Sequence, residues 1–323
     1  MQTLSRHYEL FEQHLKANAF YKTEPRQLYE AVNHIMHMPG KRIRPLLLMM
    51  ANELFGGEVS SALNPALGIE LFHNATLVHD DIMDEADIRR GLPTVHKKYG
   101  INHAIVTGDV MMIYAYQYLL QDHPGIMHEL IQVYNRTTTE IMEGQTMDLQ
   151  FEKEEHVTAG SYLKMIEYKT SVLLAAALEI GAILAGASAA DRKLIHDFGL
   201  NLGLSFQIKD DLLDAFGTDE KVGKKIGGDI LRNKKTYLYI RTTELATADQ
   251  LVLLKQLVNE SREDYKISET LRLFTETGAQ KDTELLAEQY YQAACKAIAS
   301  VSCAAEQKEP LIQLAEAIHQ RTF

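Results

Sequence analysis

The stretch TAGSYLKMIEYKTSVLLAAALEIGAILAG, residues 158–186, is typical of the chain that surrounds it. It lies between Pro124 and Pro310, and no proline occurs between those two positions. A proline-free stretch of this length that is rich in Leu, Ala, Glu, Lys and Gln favours consecutive helices. Strand signals are scarce, since hairpin dipeptides such as Asn-Gly and sustained alternation of β-branched and polar residues are both missing. The sequence therefore predicts an all-α fold, a single large helical bundle that forms one domain over residues 1–323.

Helical periodicity and the signals for helix ends give the approximate bounds of the helices. The predicted helices are 2–18, 26–37, 43–55, 60–85, 101–121, 125–150, 158–186, 190–215, 233–243, 247–258, 264–275, 281–300 and 307–320. The most membrane-like part, residues 172–190, is interrupted by Glu179 and is rich in alanine and glycine, which insert weakly into lipid. We therefore predict a buried helix of a soluble protein there and no integral membrane span.

Composition excludes several classes of protein. With 46% apolar residues in 323, the chain can bury a large core, and disorder is excluded. A net charge of -11 argues against a nucleic-acid binder, which needs a basic face. The two cysteines, Cys295 and Cys303, are too few for a disulfide framework, and the N-terminus lacks the apolar core of a signal peptide, so a cytoplasmic location is predicted.

The strongest chemical signal is the pattern DDxxD, which occurs at 80–84 and again at 210–214. On a helix, positions i and i+4 lie one above the other, so the first and last aspartates of each motif present two carboxylates on one face. Like charges placed in this way are destabilising unless a cation compensates, and Mg²⁺ takes one or two carboxylates together with substrate phosphates. The predicted ligand pairs are Asp80 with Asp84 and Asp210 with Asp214.

Basic residues gather with glycine near predicted helix ends at 39–45, 89–91, 223–229 and 233–236. Freed backbone N–H groups with nearby Lys or Arg bind phosphate well. If the two aspartate pairs face each other across a helical cavity, they hold several Mg²⁺ ions around a diphosphate. Such a site stabilises a departing diphosphate when a carbocation forms without a covalent nucleophile.

These motifs, taken together and in order, closely resemble the trans-isoprenyl diphosphate synthases. The resemblance spans about residues 40 to 240 and rests on GKRIRP at 40–45, on His73, on RRG at 89–91, on Lys169-Thr170, on Phe206-Gln207 and on the two DDxxD motifs. It implies an isoprenoid synthase-like helical fold and a prenyltransferase that condenses isopentenyl diphosphate with an allylic diphosphate. It also implies a homodimer and roughly two to three Mg²⁺ ions, for which Mn²⁺ substitutes.

The resemblance also implies roles for individual residues. Asp80 and Asp84 are the first metal-ligand pair, supported by Asp81, and Asp210, with Asp214 nearby, binds a further Mg²⁺. The residues implied in catalysis are Asp80, Asp81, Asp84, Arg89, Lys169, Asp210 and Lys225.

Each of the two diphosphates has its own set of residues in the family. The allylic diphosphate is assigned to Arg89, Lys169 and a lysine at Lys224 or Lys225. Isopentenyl diphosphate is assigned to Lys41, Arg44, His73 and Arg90, and Gly40 is a further substrate-binding residue. Thr170 and Gln207 form a polar pair beside the allylic head, and Lys234 matches a further lysine after the second motif.

Three rival interpretations remain open. A class I terpene cyclase also uses DDxxD, but it has no use for a second diphosphate site such as Lys41, Arg44 and Arg90 indicate. A di-iron carboxylate protein is suggested by the ExxH spacings at 70–73 and 316–319, although it leaves the paired aspartates unexplained. A non-catalytic partner subunit is disfavoured because all six aspartates of the two motifs are intact.

Product length is predicted from the helix that carries the first motif. Residues four, five and eight before Asp80 are Thr76, Ala75 and Phe72, one or two turns below the diphosphate. In the family, small residues at the first two positions let the chain grow, so Phe72 is the predicted floor, with Met111, Met112 or Tyr114 as rival walls. The expected product is the C20 compound geranylgeranyl diphosphate, with C15 and C25 or longer as alternatives.

Overall fold

The computed structural model describes residues 2–18, 20, 24–217 and 227–320. The all-α prediction is confirmed, since the described chain is almost entirely helical. The helices are α1 (Gln2–Ala17), α2 (Arg26–Met36), α3 (Ile43–Leu54), α4 (Val59–Met83), α5 (Val95–Tyr99), α6 (Ile101–Leu120), α7 (Met127–Phe151), α8 (Ala159–Ile166), α9 (Val172–Leu184), α10 (Ala189–Phe216), α11 (Gly228–Leu231), α12 (Tyr237–Leu245), α13 (Ala248–Val258), α14 (Glu263–Glu276), α15 (Ala279–Ser300) and α16 (Ala305–Gln320). No helix among these described ranges is long and apolar enough to cross a membrane.

Backbone contacts divide the chain into two compact units. Unit 1 comprises Met1–Tyr134, Ala176–Ile195 and Ser302–Gln313, and unit 2 comprises Asn135–Ala175, His196–Val301 and Leu314–Phe323. Four of the five boundaries fall within α7, α9, α10 and α16, and the fifth lies between α15 and α16, whereas separate domains are usually joined by exposed linkers. The single domain over 1–323 stays a prediction.

In unit 1, α4 packs chiefly against α3 and α6. Helix α3 begins after Arg42, whose backbone is left-handed at φ 51 and ψ 36. The Arg42 side chain is 2% exposed and donates to Glu12 of α1, to Glu70 of α4 and to two carbonyls at residues 36 and 38. Breaking such a buried ion pair by removing one partner costs about 3–5 kcal/mol. Arg42 therefore fixes the loop between α2 and α3.

A short β-hairpin follows α4, which the sequence did not predict. Strand β1 (Ile88–Arg89) pairs antiparallel with β2 (Leu92–Pro93), with Arg89 opposite Leu92. The two loop residues, Arg90 and Gly91, have φ values of 51 and 78, as a type I′ turn requires. The sequence offers no Asn-Gly or Asp-Gly here, and the left-handed arginine costs roughly 1–2 kcal/mol, so turn propensity alone gave no signal.

In unit 2, the helix predicted over 158–186 is wrong in its middle. Residues Glu167–Ser171 form a π-helical turn between α8 and α9, and such turns are frequent at functional sites. Glycines on the neighbouring helices make room for it. A Cβ on Gly144 of α7 would lie 2.5 Å from the backbone nitrogen of Lys169, and one on Gly203 of α10 would lie 2.6 Å from the Cα of Ser171.

The helix predicted over 233–243 also differs from the structure. The chain forms α11 and then α12, with Asn233 at φ 55 between them. Asparagine tolerates the left-handed conformation that commonly ends a helix, so the break has a local cause.

Candidate active site

The first DDxxD motif ends α4, and its three aspartates have different surroundings. Asp81 is buried, Asp80 is partly exposed, and Asp84 is exposed at the C-cap, where its N–H donates to the carbonyl of Asp80 over 2.8 Å. Because Asp84 keeps the helical register, Asp80 and Asp84 remain on one face. The assignment of Asp80 and Asp84 as a metal-ligand pair stays a prediction.

The middle aspartate of this motif is already occupied by the protein. Arg89 Nε lies 3.0 and 2.9 Å from the two oxygens of Asp81, and Arg89 Nη2 donates to Oδ1 over 2.8 Å. The Asp81 side chain is 1% exposed and that of Arg89 is 25% exposed. This bidentate pair fixes Arg89 at the hairpin, with its remaining N–H donors free for an anion.

A cluster of basic side chains forms around the loop between α2 and α3 and the β-hairpin. Arg44 Nη1 donates to His73 Nε2 over 3.1 Å, so His73 Nε2 is the acceptor and Nδ1 carries the ring proton. Arg44 Nε is buried and makes no hydrogen bond within the described chain. An unsatisfied buried donor is costly, and an anionic ligand at this cluster would relieve that cost.

The electrostatics of this cluster favour anion binding. Desolvation, opposed by Glu70 and assisted by Arg90, lowers the pKa of Arg44 to about 10. Desolvation and the neighbouring arginine charges lower the pKa of His73 well below its usual range, so the imidazole is neutral at pH 7. Desolvation and two arginine charges also lower the pKa of Arg90. These positive charges repel one another until an anion neutralises them.

Gly40 is required by the position of Arg90. A Cβ at residue 40 would lie 2.9 Å from Arg90 Nη1 and 3.2 Å from its Cζ, so any side chain would displace the guanidinium. Lys41 is exposed in the same loop. The structure therefore places Gly40 against Arg90 and Arg44 against His73, with Lys41 in the same loop as Gly40.

In the second DDxxD motif, the middle aspartate is again buried and the outer two are exposed or partly exposed. Asp210 is exposed and Asp214 partly exposed, whereas Asp211 is buried. The Tyr162 hydroxyl donates to Asp211 Oδ2, and Gln207 Nε2 donates to Oδ1 over 3.3 Å. Burial raises the pKa of the Asp211 carboxyl well above its usual range, and the two donors oppose that rise. The middle aspartate is again engaged by protein groups.

The π-helical turn in unit 2 presents the other predicted residues. Thr170 Oγ1 donates to Gln207 Oε1 over 3.2 Å, and Lys169 Nζ donates to Asp148 Oδ2 over 2.5 Å. Thr170 and Gln207 are therefore a pair, as predicted. Asp148 of α7 had not been identified from the sequence, because its partner lies 21 positions away and no spacing rule connects the two.

These residues line a cavity of about 470 Å³ within unit 2. Its lining includes Asp148, Lys169, Thr170, Gln207, Asp210 and Lys234. Asp214 Oδ2 accepts the backbone N–H of Asp229 over 2.9 Å, and Lys234 pairs with Asp229 at 3.7 Å. Desolvation and the charges of Asp229 and Asp210 raise the pKa of Asp214. Lys224 and Lys225 lie outside the described residues.

The donor set fits Mg²⁺. The two motifs offer hard carboxylate oxygens on partly or fully exposed residues, Asp80 with Asp84 and Asp210 with Asp214. Within the described ranges, no three His, Cys, Asp or Glu side chains converge on a ready-made metal cage. Mg²⁺ usually keeps water ligands and is bound by one or two carboxylates plus substrate phosphates. A site with only two carboxylates therefore suits Mg²⁺.

The residues that suggested a di-iron site make other contacts in the structure. Glu70 accepts from Arg42 and from Asn74, and His73 is engaged by Arg44. His319 contacts Ser205 Oγ at 3.0 Å and Glu288 at 3.1 Å. Both ExxH motifs therefore serve contacts between helices.

The predicted chain-length residues lie in unit 1. Ala75 is fully buried, and Thr76 is partly exposed, with its hydroxyl donating to the carbonyl of His73 over 2.7 Å. Phe72 is 1% exposed and meets Tyr134 edge to face at a centroid distance of 5.4 Å. Tyr116 in turn lies 4.4 Å from Tyr134.

Tyr114, one of the alternative candidates for the residue that limits chain length, contacts other aromatic residues. Its ring is 5.3 Å from that of Phe20, and its hydroxyl donates to Tyr29 of α2. Met111 is fully buried and Met112 is partly exposed on the same helix. The aromatic residues that adjoin Phe72 are instead Tyr134 and Tyr116, which the sequence did not single out as a floor.

Residues 25–274 match the family model described as polyprenyl synthetase. A geranylgeranyl diphosphate synthase of Sulfolobus acidocaldarius is 41% identical over 281 residues, 85% of each chain. A geranylfarnesyl diphosphate synthase of Natronomonas pharaonis is 35% identical over 274 residues, 79% of each chain. A crystal structure of a geranylgeranyl pyrophosphate synthase superposes with a TM-score of 0.94 at 42% identity, covering 99% of both chains.

Proposed function

This chain belongs to the polyprenyl synthetase family and is a trans-prenyltransferase, and we propose that it extends an allylic diphosphate with isopentenyl diphosphate to geranylgeranyl diphosphate. The observation that carries the reaction class is the pair of DDxxD motifs together with the cluster formed by Arg44, His73 and Arg90. The motifs suit ionisation of an allylic diphosphate. The separate anion-binding cluster suits a second diphosphate substrate, which a terpene cyclase does not need.

The two diphosphates are assigned to different residues. Isopentenyl diphosphate binds Lys41, Arg44, His73 and Arg90, where Nδ1–H of the neutral imidazole and the unsatisfied Nε of Arg44 donate to phosphate oxygens. By family resemblance, the allylic diphosphate is assigned to Arg89, held by Asp81, to Lys169, held by Asp148, and to Lys224 or Lys225. Lys234 matches a further lysine of the family after the second motif.

The chemistry begins with ionisation of the allylic C–O bond. Members of the family depend on Mg²⁺, and we place roughly two to three ions at Asp80 with Asp84 and at Asp210 with Asp214, with Mn²⁺ as a substitute. Bound Mg²⁺ neutralises the diphosphate charge. Arg89 and Lys169 share that task, and Thr170 with Gln207 orient the allylic head. The isopentenyl double bond then attacks the cation, and loss of a proton to the departing diphosphate completes the step.

The C20 product rests on the helix below the first motif. Ala75 and Thr76 are small, and the Thr76 hydroxyl is already satisfied by its own helix, so neither obstructs an apolar chain. Phe72, backed by Tyr134, is the first large ring beneath them. Relatives named geranylgeranyl and geranylfarnesyl diphosphate synthase both resemble this chain, so C25 is the principal alternative.

We further propose a cytoplasmic homodimer. Helix α6 carries four exposed apolar side chains, Ile101, Ile105, Val106 and Ile113, which are 43–58% exposed. Val106 and Ile113 are seven residues apart and therefore lie on one face of the helix, and an exposed apolar face of this kind suits a second copy. Ile113→Asp should give a monomer by light scattering, whereas Val252→Asp, at an isolated position that is 56% exposed, should not change the mass.

The deciding experiment supplies radiolabelled isopentenyl diphosphate with C5, C10 or C15 allylic primers and separates the products by chain length. Predominant C20 from every primer supports the full proposal. A C15 or C25 product retains the reaction class and refutes the length. Cyclised hydrocarbon, or no product with any primer, refutes elongation.

A further inference from the structure

The buried carboxylate of Asp211 is held at both oxygens by side chains of its own unit. Tyr162 on α8 donates its hydroxyl to Oδ2, and Gln207 on α10 donates Nε2 to Oδ1. Asp211 is 6% exposed and Tyr162 is 3% exposed. Water therefore has little access to replace either donor, and loss of one leaves a buried carboxylate oxygen unsatisfied.

This arrangement determines which end of the Gln207 amide faces Thr170. A carboxylate only accepts hydrogen bonds, so the NH₂ end of Gln207 must face Asp211. The carbonyl end, Oε1, then accepts from Thr170 Oγ1 over 3.2 Å. The reversed amide would place one oxygen against the Asp211 carboxylate. Thr170, Gln207 and Asp211 all line the unit 2 cavity.

The corresponding aspartate of the first motif has a partner of different charge. Asp81 is held by the cation of Arg89, which neutralises it. Tyr162 is a neutral donor, so it holds Asp211 in place without bringing a positive charge to the second motif.

We propose that Tyr162 is a positioning residue, which acts through Asp211 to fix the amide of Gln207 beside the allylic head of the substrate. This inference rests on the proposed function, which places Thr170 and Gln207 there. Tyr162 is not one of the residues that the family motifs identified, and it acts 49 positions away in sequence from Asp211.

The test is Tyr162→Phe, which removes only the hydroxyl. We expect kcat to fall about 10- to 100-fold, as for a lost hydrogen bond to a charged group, with the KM for isopentenyl diphosphate changed by less than about 3-fold. Tyr237→Phe is the matched control, since its ring neighbours that of Tyr162 at 6.5 Å. That control should retain wild-type kcat.

A double-mutant cycle separates positioning from general support of the fold. In a Gln207→Ala background, Tyr162→Phe should lower kcat by less than about 3-fold further, because the group it positions is gone. Additive losses, or an unchanged kcat in the single variant, overturn the inference. If Tyr162→Phe does not fold, a cycle of Asp211→Ala with Gln207→Ala tests the link from Asp211 to Gln207 on which the inference depends, and additive losses there overturn it. An inactive wild type refutes the proposed function and this inference together, whereas an active wild type with an unaffected variant refutes this inference alone.

Discussion

Replacement of Phe72 by alanine should lengthen the product by one isoprene unit. The ring of Phe72 is buried directly against that of Tyr134, 5.4 Å away between centroids. One helical turn also advances about 5.4 Å, close to the length of an extended C5 unit. Removing one ring therefore opens space for about one unit before the chain meets Tyr134, and the main product should change from C20 to C25.

The same substitution should destabilise the protein. Phe72 is 1% exposed, and truncating a buried phenylalanine to alanine costs about 3–5 kcal/mol. Phe11→Ala is the matched control, because Phe11 is fully buried in the same unit but lies on α1. Both variants should lose comparable free energy of unfolding in urea, and only Phe72→Ala should change the product.

The assay is chromatography of the dephosphorylated products from a C15 primer and isopentenyl diphosphate. Adding Tyr134→Ala to Phe72→Ala should extend the product beyond C25, whereas Ala75→Phe should shorten it. Unchanged C20 from Phe72→Ala, or the same shift from Phe11→Ala, would show that this helix does not set the length.

Three further outcomes follow from the site. A chelator should abolish turnover, and Mg²⁺ should restore it. Asp80→Ala or Asp210→Ala should lower kcat by orders of magnitude, and near wild-type turnover in either variant would contradict the metal assignment. Arg44→Ala should raise the KM for isopentenyl diphosphate about 10- to 150-fold, whereas Lys169→Ala should affect the allylic substrate or kcat; equal shifts for both substrates refute the division. The pKa of His73 is lowered in the folded protein, so below the unfolded value of 6.5 the unfolded chain takes up a proton that the folded protein does not. The contribution of His73 to the free energy of unfolding is therefore fully present above that pH and is lost as the pH falls. In urea unfolding, His73→Gln should lose more free energy of unfolding at about pH 7.5 than at about pH 5.5.

The helices could be predicted because their causes are local. Proline positions, apolar periodicity and helix-forming composition act over a few residues, and most observed bounds lie within about two residues of the predicted ones. The π-helical turn at Glu167–Ser171 could not be predicted in this way. It depends on Gly144 and Gly203, whose backbones approach it from two other helices, and nothing near Lys169 in the sequence reports that approach.

The basic residues show the same limit. The family resemblance assigns Lys41 and Arg44 of the GKRIRP motif to phosphate and omits Arg42, but the chemistry of the side chains alone does not distinguish Arg42 from Arg44. Only the structure shows that Arg42 is consumed by Glu12 and Glu70, while Arg44 keeps an unsatisfied donor. The difference arises from partners 28 and 30 positions away.

The two DDxxD motifs show most clearly what a local pattern cannot predict. Both have the same pattern, and the middle aspartate is buried in each. The partner of Asp81 follows it by eight residues, close enough for the motif and Arg89 to be read together. The hydroxyl that holds Asp211 comes from Tyr162, 49 residues earlier and on another helix. A local pattern can therefore show which carboxylates share one face of a helix. It cannot show that one buried aspartate is held by a cation and the other by a neutral hydroxyl, because the fold supplies those partners.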